Sequence, residues 1–304
     1  MNRTKFVAGL AILLALSLSA SASVQGSFER TFQVNGSVNL EAYTRAGDIT
    51  VRNGPAGSVT VRGRIQVSDR WFGDDWKGQV AEIEKNPPIH QNGNNVRIDS
   101  VDMHRISIDY EITVPSDTTV QSRTGSGDQR IEGLSGKLNL ESGSGDMRLR
   151  DIANQVRLHT GSGDVEAREV SGAFTAESGS GDIRLDAKGT GDVNVQTGSG
   201  TVELRGINGA LVARSGSGDI RAAGTQTGNW EVRTSSGNVE IDLPQQASFD
   251  LEASTSSGEV TIDRPVVMVV QGEVRETRRR IEGKVGNGGP RLSVHTGSGD
   301  VRIH

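Results

Sequence analysis

Acidic side chains recur at one place in a short motif. Asp128, Asp146, Asp164 and Asp182 each follow a Ser/Thr-Gly-Ser-Gly block, and Asp219 and Asp300 repeat the pattern, while Thr201, Asn238 and Glu259 interrupt it. On strands stacked about 4.8 Å apart, such carboxylates repel one another. A hard cation such as Ca²⁺, which takes about six to eight oxygen ligands, would relieve that repulsion. An Asp beside Gly in a turn also accepts hydrogen bonds from nearby backbone, which needs no metal. The calcium β-roll repeat has a period of about nine residues, and this sequence does not share it.

Two residues beyond the Asp column lies a column of alternating charge. Arg148, Glu166, Arg184, Glu203, Arg221 and Glu240 change sign at every step, with Arg130 before them. Neighbouring strands can pair such residues, each pair contributing a few tenths of a kcal/mol. A long charged face of this kind can also hold a glycan, so Arg148, Glu166, Arg184, Glu203 and Arg221 are candidate binding residues. Trp71, Phe72 and Trp76 sit together beside a short helical segment. Exposed, they form a stacking platform for sugars or a partner; buried, they pin the helix. Arg278, Arg279 and Arg280, with Arg275 and Lys284, make the basic cluster. It can meet a phosphate-rich polymer or simply be solvated.

Catalytic signals are weak. The five histidines show no metal-ligand spacing, and no Gly-x-Ser-x-Gly elbow, P-loop or HExxH is present. With no Cys, the chain has no thiol nucleophile, thiolate metal site or disulfide. The expectation is a non-enzymatic protein with no cofactor, the Asp ladder serving turn chemistry, with Ca²⁺ at Asp128, Asp146, Asp164 and Asp182 as the alternative.

The elements that position these residues follow from the repeat. The second glycine of the block falls at Gly127, Gly145, Gly163, Gly181, Gly200, Gly218, Gly237, Gly258 and Gly299. A near-constant period of about 18 residues is the mark of stacked units. Apolar residues alternate on both sides of each block, as in Leu138 and Leu140 before Gly145, and Met147 and Leu149 after it. Period-2 alternation predicts two short half-buried strands per repeat. Both an antiparallel meander and a parallel stack satisfy this pattern. The even coil length favours the stack: an all-β parallel β-solenoid (β-helix or β-roll) of about 18-residue coils, with an irregular N-terminal cap containing one short helix.

Three segments are expected. Residues 1–22 read as a signal peptide: Arg3 and Lys5, an apolar run from Phe6 to Leu18, then Ala20-Ser21-Ala22. Residues 23–117 form the cap, with the helix near 74–85 and a degenerate first repeat at Ala46-Gly47-Asp48-Ile49. Residues 118–304 carry the repeats, with an insertion at 264–289 that is able to form a hairpin. The chain has 304 residues with 33 Lys+Arg against 38 Asp+Glu, a net charge of −5 that supplies no field for nucleic acid. No later apolar stretch is long enough to span a membrane. The protein is therefore expected to be exported, periplasmic or extracellular.

The repeated Ser/Thr-Gly-Ser-Gly-Asp-Val/Ile-x-Leu/Ile blocks resemble the DUF4097 family of bacterial β-strand-repeat proteins, known as the putative-adhesin family. Ile112-Thr113-Val114-Pro115-Ser116-Asp117-Thr118 and Gly288-Gly289-Pro290-Arg291-Leu292 share in the resemblance. It implies an exported protein that binds or scaffolds at the cell envelope, its partner a glycan or another protein. Two alternatives stay open: a polysaccharide-active β-helix enzyme, which needs one rung unlike the others, and an envelope-stress protein contacting a membrane-bound partner through its non-repeat parts.

Overall fold

The computed structural model describes residues 24–68, 76–103, 105–267 and 279–304. The expected leader at 1–22, Trp71, Phe72 and Arg278 lie outside the described residues. The fold is all-β with one helix, α1 (Trp76–Lys85). Its strands form a mostly parallel, solenoid-like stack. The antiparallel meander is excluded for the repeats, because equal positions of successive repeats pair in parallel register. Leu138 faces Val120 on one side and Val156 on the other, and Met147 faces Gln129 and Val165.

Each repeat thus gives one strand to each of two ladders, and the inward columns of both make one thin core. Leu140, Val156, Ile183 and Val202 are fully buried within it. The apolar bend residues Leu134, Ile152, Val170 and Ile207 close it at the side. Two polar residues interrupt the inward columns, Ser122 and Gln129, and they satisfy each other. The Ser122 hydroxyl donates to Gln129 Oε1, and Gln129 Nε2 donates to the Glu141 carbonyl at 2.6 Å. Trp230 stands in the same core, and its indole N–H donates to the Gly209 carbonyl at 3.0 Å.

The rungs do not stack in chain order at either end. The strands Asn39–Ala46 and Ile49–Asn53 lie directly on the first strong repeat, with Leu40 facing Val120 and Ile49 facing Gln129. This is the degenerate first repeat that the sequence suggests. Chain beyond it folds back outward, so that Asn95–Ile98 and Ile106–Val114 cover the other side of those strands. Ser58–Val67 and Val24–Gln33 then add antiparallel. The helix α1 buries Val80 and Ile83 beside this cap. At the far end, Arg291–Ser298 and Val301–Ile303 are inserted between two earlier rungs. Trp230 faces Leu292, which faces Leu251 in turn. Ile303 is consequently 0% exposed, between Ile241 and Ile262. Val266–Val267 and Arg280–Val285 pair as the expected hairpin and cover the Phe249–Ser257 strand.

The repeated glycines are fixed by the closeness of the stacked turns. A Cβ on Gly163 would lie 2.2 Å from the Gly145 carbonyl oxygen, and one on Gly181 2.1 Å from that of Gly163. Positive φ adds a second requirement only at Gly218, Gly237, Gly258 and Gly299 of that column. The hydroxyl column reinforces the same contact. Thr197, Ser215 and Thr234 donate to the carbonyls of Gly181, Gly200 and Gly218 at 2.9, 3.1 and 3.0 Å.

Candidate functional site

Outward residues of the second ladder stand in two columns, three and five places after the turn glycine. A shallow groove runs between them along the stack. Three hollows mark its course. The first, about 280 Å³, is bounded by Thr50, Arg52, Thr60 and Arg62. The second, about 270 Å³, lies among Arg130, Glu132, Arg148, Arg150, Glu166 and Arg168. The third, about 160 Å³, lies among Glu166, Arg168, Arg184, Asp186, Glu203 and Arg205. Alternate side chains of a strand point to one face, and parallel register places like positions side by side. The second and third hollows are a direct product of the repeat, and the first continues them over the cap strands.

The structure brings Arg148, Glu166, Arg184, Glu203 and Arg221 together as successive neighbours on this face. The inserted last rung extends the series, because Glu240 faces Arg302 rather than Thr261. Arg184 approaches Glu203 at 3.9 Å, and Arg221 approaches Glu240 at 3.3 Å. These pairs are exposed, so each contributes little to stability. Their effect is on register, since a slip of one rung would oppose like charges.

Both oxygens of Asp128, Asp146 and Asp182 have partners, and Asp164 is held through Oδ1. Oδ1 of Asp128 accepts from the Asp146 backbone N–H at 3.0 Å, and Asp146, Asp164 and Asp182 repeat the bond to the next rung at 3.0, 2.8 and 2.8 Å. Arg148 bridges Oδ2 of Asp128 and Asp146 at 3.0 and 2.7 Å. Arg184 takes Oδ2 of Asp182 at 2.6 Å. The hydrogen bond to Asp128, foremost, holds the Arg148 pKa above its ordinary value, with desolvation opposing it. The column is therefore a backbone-capping ladder that bonds turn to turn, across rungs rather than within one turn. Among the described residues, three metal-ligating side chains converge within 4.8 Å at Glu240, Asp242 and His304. Sequence spacing hides that group, because Asp242 and His304 become neighbours only through the insertion of the last rung.

The remaining candidates are dispersed. Trp76 opens α1, packs partly buried against the core, and carries the Lys77 ammonium 5.5 Å from its ring centre. Arg280 pairs with Glu252 at 3.5 Å and Glu282 at 3.2 Å, beside an open hollow of about 600 Å³ at the far end. Arg279 contributes its carbonyl to the Thr255 N–H at 2.8 Å. Neither is near the groove hollows. Two groove arginines were not among the sequence candidates: Arg130, which stands at the head of the charge column, and Arg150. Their signal was available: Arg130 and Arg148 are like charges in an otherwise alternating column.

No helix among the described residues is long and apolar enough to cross a membrane. No curated protein matches the chain. Among solved structures, a protein named as a "putative adhesin" from Bacteroides fragilis is 13% identical, with 92% of this chain and 98% of that chain covered and a TM-score of 0.44. A "putative cell adhesion protein" from Clostridium sporogenes is 12% identical, with 91% and 98% covered and a TM-score of 0.24. A family model described as Toastrack DUF4097 matches residues 39–170 and again 152–304. The two matches overlap and together span residues 39–304, all of the described chain but the first cap strand and its link to the next, and the chain belongs to the Toastrack DUF4097 family.

Proposed function

We propose that this is an exported, non-enzymatic protein of the bacterial cell envelope that binds or scaffolds a polymer in the manner of an adhesin. In this reading each repeat of about 18 residues is one solenoid coil, and the stack is a rigid rod that presents a continuous row of contacts. The single observation that carries it is the groove: three hollows in line along one face, between two columns of outward charged residues. A linear polymer can lie there and make many weak contacts that add through multivalency. A row of contacts that recurs from rung to rung suits repeated binding better than a reaction at one point. The leader-like segment at 1–22 supports export.

Co-sedimentation with isolated cell-envelope fractions tests the reading. The protein should pellet with the polysaccharide-containing fraction, and substitution of Arg148, Arg184 and Arg221 together by Ala should weaken this. Chelator should make no difference if the Asp ladder serves only the backbone; loss of binding on chelation would assign it a metal. Failure to pellet with any fraction, with calcium or with chelator, would sink the polymer reading.

A further inference from the structure

We propose that the groove has one specific subsite, the hollow between Arg130, Arg148, Arg150 and Arg168, and that it receives the acidic group of a sparsely charged anionic polysaccharide. The inference rests on the polymer-binding reading and narrows it to a place and a ligand chemistry.

Elsewhere on this face the rungs oppose unlike charges, as Glu166 does Arg184 and Asp186 does Arg205. Here the rule fails twice, side by side. Arg148 stands directly beside Arg130, and Arg150 beside Arg168. Like charges on neighbouring strands are destabilising, so this arrangement costs the free protein stability. Arg148 is neutralised by Asp128 and Asp146, and Arg168 is paired with Glu166. Arg130 and Arg150 have no ion pair among the described residues, and both are exposed. Two guanidinium groups without an ion pair thus flank one hollow of about 270 Å³, whose two carboxylates, Glu132 and Glu166, are paired with Arg52 and Arg168, so four arginines outnumber them there. Their planar forks suit a carboxylate, sulfate or phosphate.

Backbone strain marks the same place. Asp151 and Glu169 have φ of 54° and 56°, and each directly follows an arginine of the hollow. The equivalent place in neighbouring repeats is held by Gly133 and Gly206, with φ of 74° and 70°. Strain of this kind gathers at ligand sites.

The surroundings decide between polymers. A duplex nucleic acid carries a charge about every 1.7 Å of axis. Laid along the groove, it would meet Glu132, Glu166, Asp186 and Glu203 as well as the arginines, and the whole chain has a net charge of −5. A glycan with one acid group per few sugars avoids that repulsion. Its anion can occupy the arginine hollow while neutral hydroxyls bond to the alternating Arg and Glu on either side.

Calorimetric titration of the purified protein tests this, with hyaluronan oligosaccharides as the sparsely charged probe and neutral dextran oligosaccharides and duplex DNA as comparisons. Hyaluronan should bind saturably and more tightly than either. Arg130→Ala with Arg150→Ala should weaken it about tenfold or more, whereas Arg214→Ala with Arg233→Ala, on the other ladder, should leave it unchanged. A second variant guards against misfolding. Arg130→Glu replaces the like pair with an unlike one, so it should raise the unfolding midpoint while abolishing binding. The proposal is overturned if wild-type protein ignores hyaluronan, if DNA or dextran binds as well, if the two double variants lose equally, or if Arg130→Glu lowers the midpoint. Retained envelope co-sedimentation in Arg130→Ala with Arg150→Ala would overturn the subsite while the broader polymer reading stands. Loss of envelope binding by the wild type would remove both.

Discussion

Replacing Gly163 by Ala is the sharpest test of how the rungs are held together. The residue is not in the left-handed region, so backbone strain does not enter. The added methyl would sit 2.2 Å from the Gly145 carbonyl oxygen and 2.6 Å from its carbon. Both atoms are backbone and cannot swing aside, so two turns must separate by roughly 1 Å to reach ordinary contact. Overpacking of this kind costs about 1–3 kcal/mol. Separation also lengthens the Thr160 hydroxyl bond to the Gly145 carbonyl, 3.3 Å, and the Asp164 N–H bond to Asp146, 3.0 Å. Each such bond is worth about 0.5–1.5 kcal/mol. A loss of roughly 3 kcal/mol follows, or a midpoint lower by roughly 6–12 °C. Urea and thermal unfolding should be compared with Gly93→Ala, where the new methyl meets nothing within 4 Å and only φ of 60° resists it. If Gly163→Ala is no less stable than Gly93→Ala, close stacking of the turns is not what requires glycine there.

Other perturbations act on single features. Glu169→Gly should stabilise the protein by about 0.5–1 kcal/mol, because it relieves a left-handed residue at the cost of some chain entropy; an unchanged urea midpoint would contradict this. Arg264→Ala should cost about 2 kcal/mol and speed amide exchange in Val301–Ile303, since its guanidinium donates to the Pro244 carbonyl at 2.8 Å and the His304 carbonyl at 2.6 Å; exchange spread evenly over all rungs would refute the local pin. Desolvation raises the Asp109 pKa above 3.8 in the folded state, so stability should fall as pH rises through and just above that value, and Asp109→Asn should flatten the fall. A pH profile parallel to that of the wild type would show that Asp109 is not its source.

Strand positions and their inward faces were legible in the sequence because each rung repeats the same chemistry. Leu138, Val156 and Phe174 occupy one column in the alignment of repeats, and they touch as neighbours in the fold. Parallel pairing was legible too, since a constant coil length is what stacking demands. The order of the end rungs was not. Nothing local in Leu292 or Val301 says that they slot beside Trp230 and Val239 rather than beyond Leu251 and Val260, because every rung offers much the same apolar surface. The same uniformity hid the groove, which depends on two columns considered together. It also hid the turn-to-turn bonds of the Asp ladder, because no single turn says that Oδ1 points along the stack.

Interposing the end rungs also restricts how such a chain can change its length. A strand held between two neighbours cannot be lost without parting two inward faces, so neither Asn39–Ala46 nor Arg291–Ser298 is expendable. Repeats in the middle, from about 138 to 217, pair only with the next repeat on either side. Duplication or deletion of a whole period there would leave both interlocked ends intact and shift the stack's length by one strand spacing. The fold thus behaves as a telescoping body between two fixed clasps, and relatives of different length should differ in its centre.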